Sequence, residues 1–223
     1  MKNAIKDTLP VLTGYVVLGF GFGIILHANG YGVGVALAMS VFIYAGSMQY
    51  VAIGLLAGGV HLAAIALTTL MVNARHLFYG ISMLEKYKNM GKCKGYLVFS
   101  LTDETYSLVC RELPLISEEQ RKDYYLWVSV LNHFYWVSGS VLGATVGSLV
   151  EFRSEGIDFA LTALFLTVFL EQWLTAKKHK PAMIGVLLSV CSILVFGRDH
   201  FLIPAMIGIT ILLCMIGEDR RSE

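Results

Sequence analysis

The sequence predicts an all-α fold, a polytopic transmembrane helix bundle of six to eight membrane segments that include re-entrant or broken helices. Three observations carry that prediction. Apolar residues make up 56% of the chain and charged residues 15%, against roughly 25% charged in an ordinary soluble domain. Mean hydropathy is +0.67. No Asp, Glu, Lys or Arg occurs between Asp7 and Arg75, and since a spanning helix needs only about 20 apolar residues, this run alone holds two or three spans. Residues 1–223 read as a single transmembrane domain in the lipid bilayer. The net charge of +1 excludes a protein that binds nucleic acid through a basic field.

Apolar runs broken by Gly, Pro and charge place candidate segments at 10–27, 33–57, 61–84, 95–111, 124–148, 157–175, 181–196 and 200–217. The first follows Lys2 and Lys6 and has the outline of a secretory signal. No small-x-small cleavage site follows it and further apolar segments do, so it is read as the first membrane element. Gly19, Gly21 and Gly23 interrupt it, while 95–111 is the least apolar segment, with Asp103 and Glu104 at its centre. Both are expected to be re-entrant or broken, which is tolerated in lipid only where the backbone is buried in protein or lines a cavity. Basic clusters at Lys86–Lys94, Arg111–Lys122, Lys177–Lys180 and Arg220–Arg221 then all fall on the cytoplasmic side of six spans, as short basic loops do.

Five groups of residues are candidates for chemistry. Asn73-Ala74-Arg75-His76 follows an uninterrupted apolar run. An Arg at a helix centre costs about 2.5–3.5 kcal/mol on insertion scales and therefore faces a partner or a wet cavity. It reads as a carboxylate binder, for a solute or for Asp103 or Glu104, or else as a residue snorkelling to the surface. On one continuous helix Thr68, Arg75, Tyr79 and Ser82 would share a face. Ser100, Asp103 or Glu104, Ser107 and Arg111 would form a polar stripe opposite Leu97, Leu101 and Leu108. That suits proton coupling through the adjacent carboxylates Asp103 and Glu104, or an amphipathic helix on the membrane surface.

Tyr44-Ala45-Gly46-Ser47-Met48-Gln49 places small and amide-bearing residues in mid-segment. Gly46 allows a helix break that frees backbone groups for a ligand, and Gln49 is placed to hydrogen-bond one; close helix packing at Gly46 and Ser47 is the alternative. Gly139, Gly143 and Gly147 make a helix-packing seam, with Asn132 and His133 as weaker site candidates ahead of it. Glu171-Gln172-Trp173 is read as a site or an interfacial belt. At an offset of 123 residues, Phe42, Gln49, Arg75 and Phe78 fall on Phe165, Gln172, Arg198 and Phe201, which suggests an internal repeat with halves at 8–111 and 124–217.

Cys93, Cys110, Cys191 and Cys214 are scattered without paired spacing, so no metal site or disulfide framework is expected. No P-loop occurs, no cofactor is implied, and the chain does not read as an enzyme. Two rival classes are a membrane-embedded hydrolase, with Ser47 as nucleophile and His76 or His133 as base, and a scaffold that moves no solute.

Tyr44–Gln49, Asn73–His76 with Tyr79-Gly80, Thr102–Thr105, Asn132-His133 with the glycine face, and Gly156-Ile157-Asp158-Phe159 leading to Glu171-Gln172 stand in an order and spacing that resembles the AzlC family of bacterial branched-chain amino acid permeases. The likeness runs from about residue 8 to 215. It departs at Ser47-Met48, where smaller residues are expected, and that leaves the substrate open. The resemblance implies a multi-pass protein of the bacterial cytoplasmic membrane that exports leucine, isoleucine and valine, with methionine as a further candidate, alongside a small AzlD-type membrane subunit. The expected substrate contacts are Gly46, Ser47, Gln49, Asn73, Arg75, His76, Asn132 and Gln172, with Asp103 or Glu104 carrying a proton.

Overall fold

The computed structural model describes residues 2–110, 117–150 and 179–197, together with 166, 169, 170, 173, 174, 201, 204, 205, 207–209, 211 and 212. Helices and turns account for these, with no strand among the described residues. The chain falls into two compact units, Met1–Ile157 and Asp158–Glu223. In the second, the described helix α9 (Lys180–Phe196) carries Pro181 in its first turn and stops at Gly197, whose φ of 75° suits a residue without a side chain. It coincides with the expected segment 181–196. Gln172, Glu171, Arg198, Phe165, Arg111, Cys214 and the Gly156–Phe159 motif lie outside the described residues.

The first unit holds eight α-helices among the described residues: α1 (Lys2–Ala28), α2 (Val33–Phe42), α3 (Gly46–Ala57), α4 (Leu62–Val72), α5 (Ala74–Met83), α6 (Lys94–Phe99), α7 (Asp103–Val109) and α8 (Glu118–Leu149), with a 3-10 turn at Gly91–Cys93 before α6. Helix α1 runs 27 residues without interruption, about 40 Å at 1.5 Å per residue. Its stretch Asn3–Ala28 is long and apolar enough to cross a membrane, and the pair Leu62–Val72 and Ala74–Met83 qualifies as a second span if its 45° bend is counted within one element.

The expected break at Gly19, Gly21 and Gly23 does not occur, and packing explains why. A Cβ on Gly19 would stand 2.9 Å from Ser140 N, and one on Gly23 would stand 2.1 Å from Ser140 O. From the other side, a Cβ on Gly143 would meet Phe20 O at 2.0 Å and one on Gly139 would meet Val16 O at 2.8 Å. Glycines on both helices bring the α1 and α8 backbones into contact, the device by which helices associate where no water drives them together. Gly139 and Gly143 thus form the seam read from the sequence, and their counterpart is the set of α1 glycines that looked like breakers.

The segments 33–57, 61–84 and 95–111 are each divided. The chain leaves α2 through Tyr44, whose φ of 45° lies in the left-handed region, and restarts at Gly46. Asn73 separates α4 from α5 and overturns the continuous face expected for Thr68, Arg75, Tyr79 and Ser82. One turn earlier the Thr69 hydroxyl donates to Ile65 O at 2.7 Å, a back-bond that bends helices. Ser100 back-bonds to Tyr96 O at 2.8 Å where α6 ends, and Thr102 caps α7 by accepting from Thr105 N. This break confirms that 95–111 is interrupted and removes the single polar stripe. Leu97, Leu101 and Leu108 pack with Met83, Tyr87, Tyr124, Tyr125 and Val128 in a buried core, so the apolar side of this region faces protein and is not the lipid-facing side of a surface helix.

Candidate functional site

The three breaks bring their polar residues to one place. Arg75, in the first turn of α5, pairs through Nη1 with Asp103 Oδ2 at 2.6 Å, and its Nη2 donates to Ser47 Oγ in the first turn of α3 at 2.9 Å. Three half-helices therefore meet at one guanidinium. The pairing rests on stacked tyrosines one turn further along, since Tyr79 and Tyr106 lie with ring centroids 4.5 Å apart at 12°. Ser82 Oγ donates to Tyr106 Oη at 3.1 Å and closes α5 onto α7. The Arg75 and Asp103 side chains are 36% and 34% exposed, but not at every polar atom. Arg75 Nε, Asp103 Oδ1, Asn73 Oδ1 and His76 Nδ1 are buried and have no hydrogen-bond partner among the described residues.

Glu104 is held differently from its neighbour. Tyr15, from the middle of α1, donates to Glu104 Oε2 at 2.6 Å and lies 2.7 Å from Thr102 Oγ1. Thr102 Oγ1 in turn bonds Thr105 Oγ1 at 3.0 Å, which accepts from Asn132 Nδ2 of α8 at 3.0 Å. Asn132 is fully buried, and its Oδ1 has no partner among the described residues. One carboxylate thus faces a cation, and the other faces neutral hydroxyls that lead to α8.

The break between α2 and α3 has its own support. In a continuous helix the Tyr44 N–H would bond Ser40 O; here it reaches Met39 O instead, which leaves the Ser40 carbonyl free. His133 Nε2 takes that carbonyl at 3.2 Å. A carbonyl only accepts, so Nε2 carries the proton, and in the neutral ring Nδ1 accepts from Tyr96 Oη at 3.1 Å. Tyr44 stacks on the same imidazole with centroids 4.2 Å apart. Gln49 is fully buried; its Oε1 accepts from Trp136 Nε1 at 2.9 Å and its Nε2 reaches Ser40 Oγ at 3.4 Å. A Cβ on Gly46 would meet the Trp136 ring at 3.0 Å.

Of the residues expected to form a site, Ser47, Arg75 and Asp103 are in direct contact. Asn73 and His76 flank Arg75 in sequence. Glu104 and Asn132 belong to the Tyr15–Thr105 network, and Gly46 and Gln49 lie against Trp136. No group of three or more His, Cys, Asp or Glu side chains suited to a metal occurs among the described residues. Among the described residues no hydrogen bond joins Ser47 to His76 or His133, the two bases of the hydrolase reading: the Ser47 hydroxyl is engaged by Arg75, and His133 by Ser40 and Tyr96. Tyr15 was not singled out from the sequence. The available signal was a phenol at mid-helix in an apolar span, where the hydroxyl must find a partner.

Residues 10–150 match the family described as AzlC protein. The chain is 43% identical over 216 residues to the branched-chain amino acid transport protein AzlC of Bacillus subtilis, covering 96% of this chain and 84% of that protein. It is 39% identical over 216 residues to an uncharacterized membrane protein of Haemophilus influenzae, covering 96% and 88%. To the inner membrane protein YgaZ of Escherichia coli it is 28% identical over 180 residues, covering 80% and 74%. No solved structure matches the chain.

Proposed function

The chain belongs to the AzlC family, and from that premise we propose that it exports leucine, isoleucine and valine across the bacterial cytoplasmic membrane by proton-coupled secondary transport. Membership makes it a membrane transport protein and not an enzyme. The substrate class rests on the named Bacillus relative. Export, the proton, methionine as a further substrate and a small AzlD-type partner subunit are parts of the proposal. So are the six to eight membrane segments and the paired halves.

The observation that carries the reading is the meeting of three helix breaks on Arg75. Irregular backbone at membrane depth is tolerated where it lines a cavity, and half-helix N-termini such as those of α3 and α5 favour an anionic group of a substrate. Arg75 anchors the substrate carboxylate with its planar fork, beside Ser47, Asn73 and His76. Gln49 acts indirectly, because its amide is engaged by Trp136 and Ser40 and holds α3 on α8. Glu104 carries the proton. Its carboxyl bonds to a phenol, which accommodates a protonated or an ionised oxygen, whereas Asp103 is committed to Arg75.

The test is amino acid efflux from cells that produce the chain, with and without a candidate small partner, after loading with leucine- or valine-containing dipeptides. Faster efflux of the branched-chain residue than from cells lacking the chain is expected. Equal efflux in every arm would end the reading.

A further inference from the structure

Arg75 and Asp103 make their contact through one nitrogen and one oxygen, Nη1 and Oδ2. That leaves one donor and one acceptor facing no partner among the described residues, Arg75 Nε and Asp103 Oδ1. A bidentate ion pair would have used both oxygens on two parallel N–H bonds, so this one is incomplete on both sides. Ser47 holds Nη2, the nitrogen that with Nε makes up the edge of the fork able to receive a carboxylate side-on. The unused donor belongs to a cation and the unused acceptor to an anion, and the two groups are joined by a single 2.6 Å contact. Both atoms are buried, with the Tyr79 phenol beside Asp103, so each carries a desolvation cost that one small head group bearing both charges would offset.

We propose that Arg75 and Asp103 together read the zwitterion of an α-amino acid: its carboxylate takes the Nε edge of Arg75 beside Ser47, and its ammonium takes Oδ1 of Asp103. This rests on the transport reading above and adds to it a ligand for the amino group. Charge balance favours the arrangement. The Arg75–Asp103 pair is neutral when empty and stays neutral with a zwitterion added, which matters where burying a net charge is costly. A branched carboxylic acid without the amine would leave an excess anion beside Asp103, and an amine without the carboxylate would leave an excess cation beside Arg75. Asp103 is thereby the residue that separates amino acids from their deaminated analogues, and the proton falls to Glu104.

The experiment measures equilibrium binding of labelled leucine and of labelled 4-methylpentanoate, which is leucine without its amine, to the full chain in lipid nanodiscs. Wild type is compared with Asp103→Asn, Asp103→Ser and Arg75→Gln. The serine variant guards against loss of folding by the asparagine variant, since Ser is well tolerated in a first helical turn. Wild type is expected to prefer leucine, and both Asp103 variants to lower the leucine to 4-methylpentanoate affinity ratio by about tenfold or more, the size of one hydrogen bond to a charged group. Arg75→Gln is expected to weaken both ligands. A purely structural role for Asp103 would change both affinities in parallel. If the ratio holds in the Asp103 variants while Arg75→Gln abolishes binding, the ammonium assignment is overturned and the carboxylate anchor stands. Undiminished leucine binding by Arg75→Gln, or no leucine binding by wild type, would overturn both.

Discussion

The α1–α8 seam and the cluster around Arg75 are built from opposite materials. Along the seam, Gly19 and Gly23 lie on Gly139, Ser140 and Gly143 with backbone against backbone, and both helices run unbroken. Around Arg75, three expected segments are each divided, and what meets are side chains with unused donors and acceptors. The seam has no room for an added atom. The cluster is about one-third exposed and incompletely bonded. On the proposed function the two regions have different tasks, one a rigid frame and the other a set of ends for a solute to engage.

Substitutions sharpen that contrast. Gly143→Val carries the largest expected penalty, because the first added carbon would fall 2.0 Å from the Phe20 carbonyl and α1 would have to move off α8. Overpacking of this kind costs about 1–3 kcal/mol and occasionally more, so the detergent-solubilised protein should melt at a clearly lower temperature and reach a lower level in membranes. Gln49→Leu comes next. It leaves the Trp136 indole N–H and the Ser40 hydroxyl without their partner in a fully buried position, at about 1–3 kcal/mol, read in the same melt. Tyr15→Phe removes one hydroxyl from Glu104 and Thr102, with a stability loss of about 1 kcal/mol. Its main readout is functional, a reduced response of transport to an imposed pH gradient. Gly14→Ala is expected to be the mildest. It lies on α1 where an added Cβ meets nothing within 4 Å, and helix propensity favours Ala by about 1 kcal/mol. Equal damage from Gly14→Ala and Gly143→Val would erase the distinction between seam and open surface.

Much of this was legible in the residues. Arg75 in an apolar run called for a partner or a route to the surface, and Asp103 or Glu104 stood among the partners it could take. Gly46 marked the restart of α3, and the 139–147 glycines marked a seam. Asn73 did not announce a break, because the run from Leu62 to Val72 contains neither Gly nor Pro and the back-bond of Thr69 is visible only in three dimensions. The glycines of α1 were misleading for a related reason. A glycine that breaks a helix and a glycine that admits a neighbouring backbone look alike until the neighbour is placed. Gln49 looked like a ligand contact because an amide in an apolar helix needs a partner, and its partner is Trp136, 87 residues away. Which of two adjacent carboxylates faces the guanidinium depends on the turn at Ser100–Thr102, which helical periodicity cannot supply.

The proposed role of the helix breaks is to set Arg75 where it grips a substrate. Counterflow of labelled leucine into vesicles preloaded with unlabelled leucine tests it, comparing wild type with Arg75→Gln at matched protein levels. Exchange should fall to the background of empty vesicles in the variant while its melting temperature changes little. Exchange at the wild-type rate without the guanidinium would contradict the account.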